Sequence, residues 1–209
     1  AAAPHTAAQQ PFYTQLGLLL KQLEGITAGF NAAMAANGRP GRVAFEDVFA
    51  ANFGDEVGDV QGHVELKRNP NMLREYTPPR HCSALIKVTA ADLFVSHDTW
   101  SSFQSMRRMY KTYAFNTTVA LSGYPGQIAS QDDWYMTSNQ LAVQETTNEF
   151  YNTSLYAAVV PGTVSEFLRV MIATNLATGG QEWTTLFATE NSGTYNNQYT
   201  VVDMKLWAP

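Results

Sequence analysis

Cysteine is nearly absent: one among 209 residues. That excludes a disulfide within the chain and any cysteine-rich metal centre. Charge is sparse too, at 15% of residues, and Lys and Arg (13) are outnumbered by Asp and Glu (18). With no basic run, a nucleic-acid or anionic-membrane surface is not expected. No apolar run approaches the roughly 18–20 residues of a membrane span, so no spanning helix is expected. Phosphate-loop, dinucleotide, serine-elbow and papain-type signatures are missing. The four histidines (His5, His63, His81, His97) form no H-E-x-x-H pair. The acidic group Asp55, Glu56 and Asp59 lacks the ligand alternation of a calcium loop and reads as a solvated face. No metal and no cofactor are expected.

What is present is a chain that can build a core, 45% of it hydrophobic. Its length fits one domain or a large piece of one. Phe12, Leu16, Leu19, Leu20, Leu23, Ile26, Phe30 and Met34 recur at helical steps, predicting a helix over 12–37 that stops at Asn37-Gly38. A shorter helix is expected at 44–53, mixed structure from 54, and a loop over 68–80. Residues 83–89 and 93–97 read as two strands joined by Ala90-Ala91-Asp92. A helix is expected at 101–113. Strands follow at 117–123, 133–138 and 140–147, helices at 163–177 and 181–189, and a last strand at 198–207. This order predicts an α+β fold, antiparallel sheet with segregated helices.

The ends and compartment give mixed signals. Cysteine scarcity suits a reducing compartment, yet two N-x-[ST] sequons, at Asn116 and Asn152, can accept glycans on the secretory route. The small, polar start AAAPHTAAQQP resembles a processed end, with no signal peptide visible. Either a leader has been removed or the chain is an internal piece of a longer one.

The lone Cys82 is the remaining candidate for chemistry. Free cysteine more often packs as a small inert hydrophobe. Its position argues otherwise: it follows Pro78-Pro79-Arg80-His81 and opens a strand. A nucleophile at the first residue of a strand is what an N-terminal-nucleophile hydrolase needs. There the peptide bond before the cysteine is cut, and the new α-amine, near pH 8, can take the proton of a thiol near 8.5.

His81-Cys82-Ser83-Ala84-Leu85-Ile86-Lys87-Val88 resembles the cleavage-site strand of the phospholipase B-like proteins. Five further blocks follow in that family's order: Ser96-His97-Asp98-Thr99-Trp100, Ser122-Gly123-Tyr124-Pro125-Gly126, Asp132-Asp133-Trp134-Tyr135, Gln144-Glu145-Thr146-Thr147-Asn148, and 191–199. The resemblance implies a lysosomal, lumenal glycoprotein with an αββα sandwich of antiparallel sheets flanked by helices, incomplete in this chain. Residues 1–81 would be a helical segment before the cleavage site and 82–209 the start of the nucleophile-bearing chain, both parts of one domain. The remaining polypeptide of the same precursor would complete the fold.

By resemblance Cys82 is the nucleophile, the His81–Cys82 bond is the cleavage site, and His97 is the active-site histidine, unless it is simply structural. Thr147 matches the active-site threonine, though Thr146 is adjacent and either can be an ordinary strand residue. The implied substrates are lipid or acyl-amide small molecules, cleaved at an ester or amide. The alternative is a catalytically silent, membrane-associated lysosomal glycoprotein of the same fold. Asp98 favours that alternative, since an anion beside the thiol would weaken it. Trp100, Trp134 and Tyr135 read as core, Asp132 and Asp133 as caps of a strand or turn, and Asn196 and Asn197 as turn formers.

Overall fold

The computed structural model describes residues 9–71, 82–101, 103–148 and 150–208. The first helix, α1 (Gln10–Ala36), starts with Pro11 in its first turn and turns only a narrow stripe inward: Phe12, Leu19 and Leu23 are buried. It ends at Asn37, followed by Gly38 at φ +60, a left-handed position that suits glycine. α2 (Phe45–Asn52) begins where Asp47 Oδ2 accepts the Ala44 N–H at 2.7 Å. A 3₁₀ turn (Gly54–Glu56) leads into α3 (Val57–Arg68), which the mixed stretch of sequence did not announce. At Gly62 an added Cβ would lie 2.4 Å from the Tyr156 ring, so the ring packs directly on this backbone.

Strands β1 (Ser83–Val88) and β2 (Leu93–Asp98) form a separate antiparallel hairpin in the register Ser83↔Asp98 and Ala84↔His97. The expected helix at 101–113 is not found. The chain forms a 3₁₀ turn (Phe103–Met106) and then β3 (Met109–Ala114). The helical spacing of Phe103, Met106 and Tyr110 misled, because β3 pairs along its length with β4 (Thr118–Gly123), and that pairing overrides local spacing. β5 (Trp134–Thr137) and β6 (Leu141–Thr146) follow, then a 3₁₀ turn (Thr153–Ala158), α4 (Glu166–Leu176), α5 (Gly180–Ala188) and β7 (Gln198–Asp203). The final strand is shorter than expected, giving way to a 3₁₀ turn at Met204–Leu206.

The main sheet is five antiparallel strands in the order β3-β4-β5-β6-β7. Its two faces meet different layers. Val119, Leu121, Leu141 and Val143 join Phe167, Leu168, Met171 and Ile172 of α4 and the α1 leucines in one core. Burying each such side chain stabilises by about 1.5–3 kcal/mol before entropy is counted. The alternate residues Ser122 and Trp134 face the other way, where they share a cavity wall with His97. β1 packs against β6, so β6 is buried from Leu141 through Glu145. The architecture is α+β with antiparallel sheets. Among the described residues no helix is long and apolar enough to cross a membrane.

Candidate active site

Cys82 stands one residue before β1 and is half-buried. Strand alternation puts it on the same face of the hairpin as Ala84 and its partner His97. Residues 93, 95 and 97 are the shielded ones in β2, so this face points inward. His97 Nε2 lies 2.7 Å from the Glu145 carbonyl oxygen. A carbonyl only accepts, so Nε2 carries a proton and donates it there. Thr99 Oγ1 sits 3.4 Å from Nδ1 and 3.2 Å from the Asp132 carbonyl oxygen. The hairpin therefore hangs on the end of β6 through one imidazole, two residues before Thr147.

Thr147 follows β6 and lines a cleft of about 540 Å³ with Asp55, Asp59, Phe150, Tyr156 and Tyr195. Asn196 and Asn197, expected only to shape a turn, also line it. The described lining residues include no Lys, Arg or His. Gly193 is fixed in this wall: its φ is +74, and a Cβ would come 2.1 Å from the Ala158 carbonyl oxygen.

The thiol is not activated in the uncut chain. Partial burial pushes it up to about 11, the charges of Asp133, Glu145 and Asp132 add to this, and a backbone hydrogen bond at Trp100 opposes it. At neutral pH it is almost wholly protonated. The anions that matter are therefore not Asp98, the residue suspected from sequence. Asp98 is exposed, on the outer face of the hairpin.

Asp132 and Asp133 do more than cap a strand: both are buried. Asp132 accepts from Arg108 Nε at 2.8 Å, the Tyr124 hydroxyl at 2.9 Å and the Ser122 hydroxyl at 2.5 Å. Asp133 has a left-handed backbone (φ 52) and accepts from the Tyr195 hydroxyl at 2.8 Å. The same hydroxyl is 3.3 Å from Glu145 Oε2.

Of the expected solvated face, Asp55 is exposed as expected, Asp59 is half-buried, and Glu56 departs from it. Glu56 is 1% exposed and accepts from Thr194, and Asp59 accepts the Tyr195 N–H at 2.7 Å. These acids cap the cleft floor from α3 and the turn before it. Of the aromatics expected in the core, Tyr135 is fully buried, but Trp100 is largely exposed and Trp134 lines the small cavity beside His97.

The buried carboxyls have a common electrostatic property. Burial pushes Glu145 up to about 7, and it raises Asp133, Glu166 and Glu56 as well. Each is held neutral in the fold above its ordinary range. Their contribution to stability is complete below about pH 4 and, for Glu145, is lost as pH climbs through about 7. For Glu145 alone this is on the order of 3 kcal/mol, or about 5–10 °C in Tm for a domain of this size. Thermal unfolding followed from pH 4.5 to 8 should show Tm falling across that interval; a flat or rising Tm contradicts it.

His81 and the rest of 72–81 lie outside the described residues, so the cleavage site has no structural account. Asn116 and Asn152, the sequon asparagines, are both exposed at turns. Asn152 Oδ1 accepts from Ser154 N at 3.2 Å and from its hydroxyl at 2.6 Å. Among the described residues no group of three or more His, Cys, Asp or Glu side chains is arranged to hold a metal.

The sequence reading missed Glu145, Tyr195, Glu166 and Arg169. The last two left a signal: charges inside an apolar helical run, Glu166-Phe167-Leu168-Arg169-Val170-Met171.

Comparison with known proteins places this geometry in context. The family described as Phospholipase B matches residues 2–209. The chain is 37% identical to phospholipase B-like protein B of Dictyostelium discoideum, over 98% of this chain and 38% of that protein. It is 34% identical to putative phospholipase B-like 1 of Caenorhabditis elegans, over 94% and 35%. It is 33% identical to phospholipase B-like 1 of Bos taurus, over 93% and 38%. The chain thus spans less than two-fifths of the length of these relatives.

Proposed function

Because the chain belongs to the phospholipase B family, we propose that it is the nucleophile-bearing part of a lysosomal N-terminal-nucleophile hydrolase cleaving acyl esters or amides of lipid-type substrates. One observation carries the reading. Cys82 opens a strand, half-buried, on the face it shares with His97, and His97 is fixed to the carbonyl two residues before Thr147.

Maturation comes first. The Cys82 thiol adds to the carbonyl carbon of His81, and the C–N bond breaks as the Cys82 nitrogen takes a proton. A thioester results. Water then hydrolyses it, leaving a carboxylate on His81 and a free α-amine and thiol on Cys82. In turnover the thiol passes its proton to that amine and adds to the substrate carbonyl. The ammonium formed stabilises the thiolate and returns its proton to the departing alcohol or amine, and water deacylates the enzyme. The Thr147 hydroxyl stands where it can bind the substrate oxygen. In the cleft beside it, Phe150, Leu155 and Tyr156 offer apolar surface for an acyl chain. Carboxyls that stay neutral in acid and exposed sequon asparagines agree with a lysosomal glycoprotein. Leu85, Val88, Phe94 and Tyr110 are exposed on and beside the hairpin. The remaining polypeptide of a longer precursor would cover them.

The test is N-terminal sequencing of purified, active protein. A terminus beginning Cys-Ser-Ala-Leu-Ile is expected. An active preparation with residues 81 and 82 still joined overturns the hydrolase reading. The silent-glycoprotein reading draws support from one observation, the resting state of the thiol at about 11. It predicts no scission at all.

A further inference from the structure

The carboxyl groups of Asp133 and Glu145 form an arrangement that the reaction above does not use. Both residues are buried, 5% and 0% exposed. They come from the two ends of one strand pair: Asp133 precedes β5, and Glu145 donates its N–H to the Asp133 carbonyl oxygen at 3.1 Å. The left-handed backbone at Asp133 turns its side chain toward Tyr195, whose hydroxyl reaches both carboxyls. That hydroxyl has one proton, and the shorter contact, 2.8 Å, gives it to Asp133. The two carboxyls meet at this one hydroxyl; burial raises Asp133, and the charge of Glu145 raises it further across that hydroxyl. Glu145 Oε1 has no hydrogen-bond partner although the residue is fully buried. A doubly ionised pair is not compensated here: no cation contacts it among the described residues. Two like charges this close, away from water, hold a proton in common.

The surroundings bear this out from each neighbouring element. Asp55 acts on Asp133 from the turn before α3, Glu56 faces Glu166 behind it, and Asp59 binds the backbone N–H of Tyr195 from α3. Glu166 faces the pair from α4, with Arg169 nearby on the same helix as the single buried cation among the described residues. Tyr135 and Tyr199 approach from β5 and β7. Asp132, its neighbour in sequence, is already neutralised by Arg108. On the hairpin side stand Cys82 and His97, whose ring is bonded to the backbone of Glu145 itself.

We propose that Asp133 and Glu145, bridged by Tyr195, are positioning residues that act as a one-proton switch beneath Cys82. With the shared proton in place, the thiol faces one negative charge; without it, the thiol faces two and is held in its unreactive form. The switch regulates the nucleophile assigned above and so rests on that assignment. Losing the shared proton as pH rises adds the second charge, and the thiol then stays protonated further into the alkaline range.

The experiment measures the rate of Cys82 alkylation by iodoacetamide in the full chain from pH 5 to 10. The parent is compared with Asp133→Asn, Glu145→Gln and Asp98→Asn, and folding of each is checked by circular dichroism. Asp133→Asn and Glu145→Gln each remove one charge without changing volume, so one still reads the switch if the other fails to fold. Each is expected to raise the alkylation rate at pH 8–9 by about three- to tenfold. Asp98→Asn, on the outer face, should leave it unchanged. The proposal is overturned if the folded pair variants stay within twofold of the parent, or if Asp98→Asn accelerates as much as they do. Alkylation reads the thiol and not turnover. If hydrolysis survives loss of Cys82, the hydrolase reading fails while the alkylation pattern still decides the switch.

Discussion

On the proposed mechanism, Cys82→Ala is expected to abolish both scission of the chain and hydrolysis of acyl substrates, the largest effect expected for the protein. The physical reason is that no second nucleophile stands ready. Cys82 is the only cysteine, and the inward face it shares with His97 offers an imidazole whose Nε2 is already committed to the Glu145 carbonyl. Without the thiol no thioester forms at His81, so the α-amine that serves as base is never released. Nucleophile and base are lost together, and their effects do not add. Turnover should drop by roughly 10⁴-fold or more, to the solution background. Assays of acyl amides and lysophospholipids at acid pH, with electrophoresis for scission, measure it. Activity within tenfold of the parent, or scission that persists, sinks the thiol mechanism. Fold loss is a separate matter. A half-buried cysteine exchanged for alanine leaves a small void, and the thermal transition should move little.

Arg169→Met carries the largest expected effect on stability. Arg169 is fully buried. Its Nε donates to the Val164 carbonyl at 3.0 Å and Nη1 to the Phe187 carbonyl at 2.6 Å, and its guanidinium lies 4.6 Å above the Phe187 ring. Its charge also opposes the rise of Glu166 and Glu56. Methionine fills much of the volume but supplies neither donors nor charge. Two carbonyls are orphaned and two buried acids lose their only nearby cation. Losing one side of such a buried arrangement costs about 3–5 kcal/mol, a fall in Tm of about 10 °C or more for this size of domain. Urea unfolding at pH 7 measures it. The penalty should shrink near pH 4.5, where Glu56 and Glu166 are neutral and need no counter-charge. A cost below about 1 kcal/mol at pH 7 shows that the guanidinium is dispensable.

Some of this was legible in the residues themselves. The three- and four-step spacing of Phe12, Leu19 and Leu23 determines α1, because burial of one face is a local demand that a sequence states directly, and two short β-prone runs around a three-residue turn announce the hairpin although β1 is exposed on both faces. The position of Cys82 at a strand start, followed at a fixed distance by His97, was readable for the same reason. The β1–β2 register needs only a short turn.

Other features were decided only in three dimensions. Residues 109–114 have spacing that suits a helix, but they became β3 because β4 offered a full ladder of partners, a contact no local pattern contains. Asp55, Glu56 and Asp59 look like a solvated face from their own neighbours. The segment 191–199, more than 130 residues away, brings Thr194 onto Glu56 and Tyr195 onto Asp59, and Glu56 is closed off from water while Asp55 stays exposed. Asp133 and Glu145 likewise became a pair because β5 lies beside β6 and Tyr195 reaches across both. Sequence by itself determined which segments could bury a face and where a lone thiol would stand. Tertiary structure alone decided which charges lie near that thiol, because charge acts through space and its strength depends on the water that distant segments exclude.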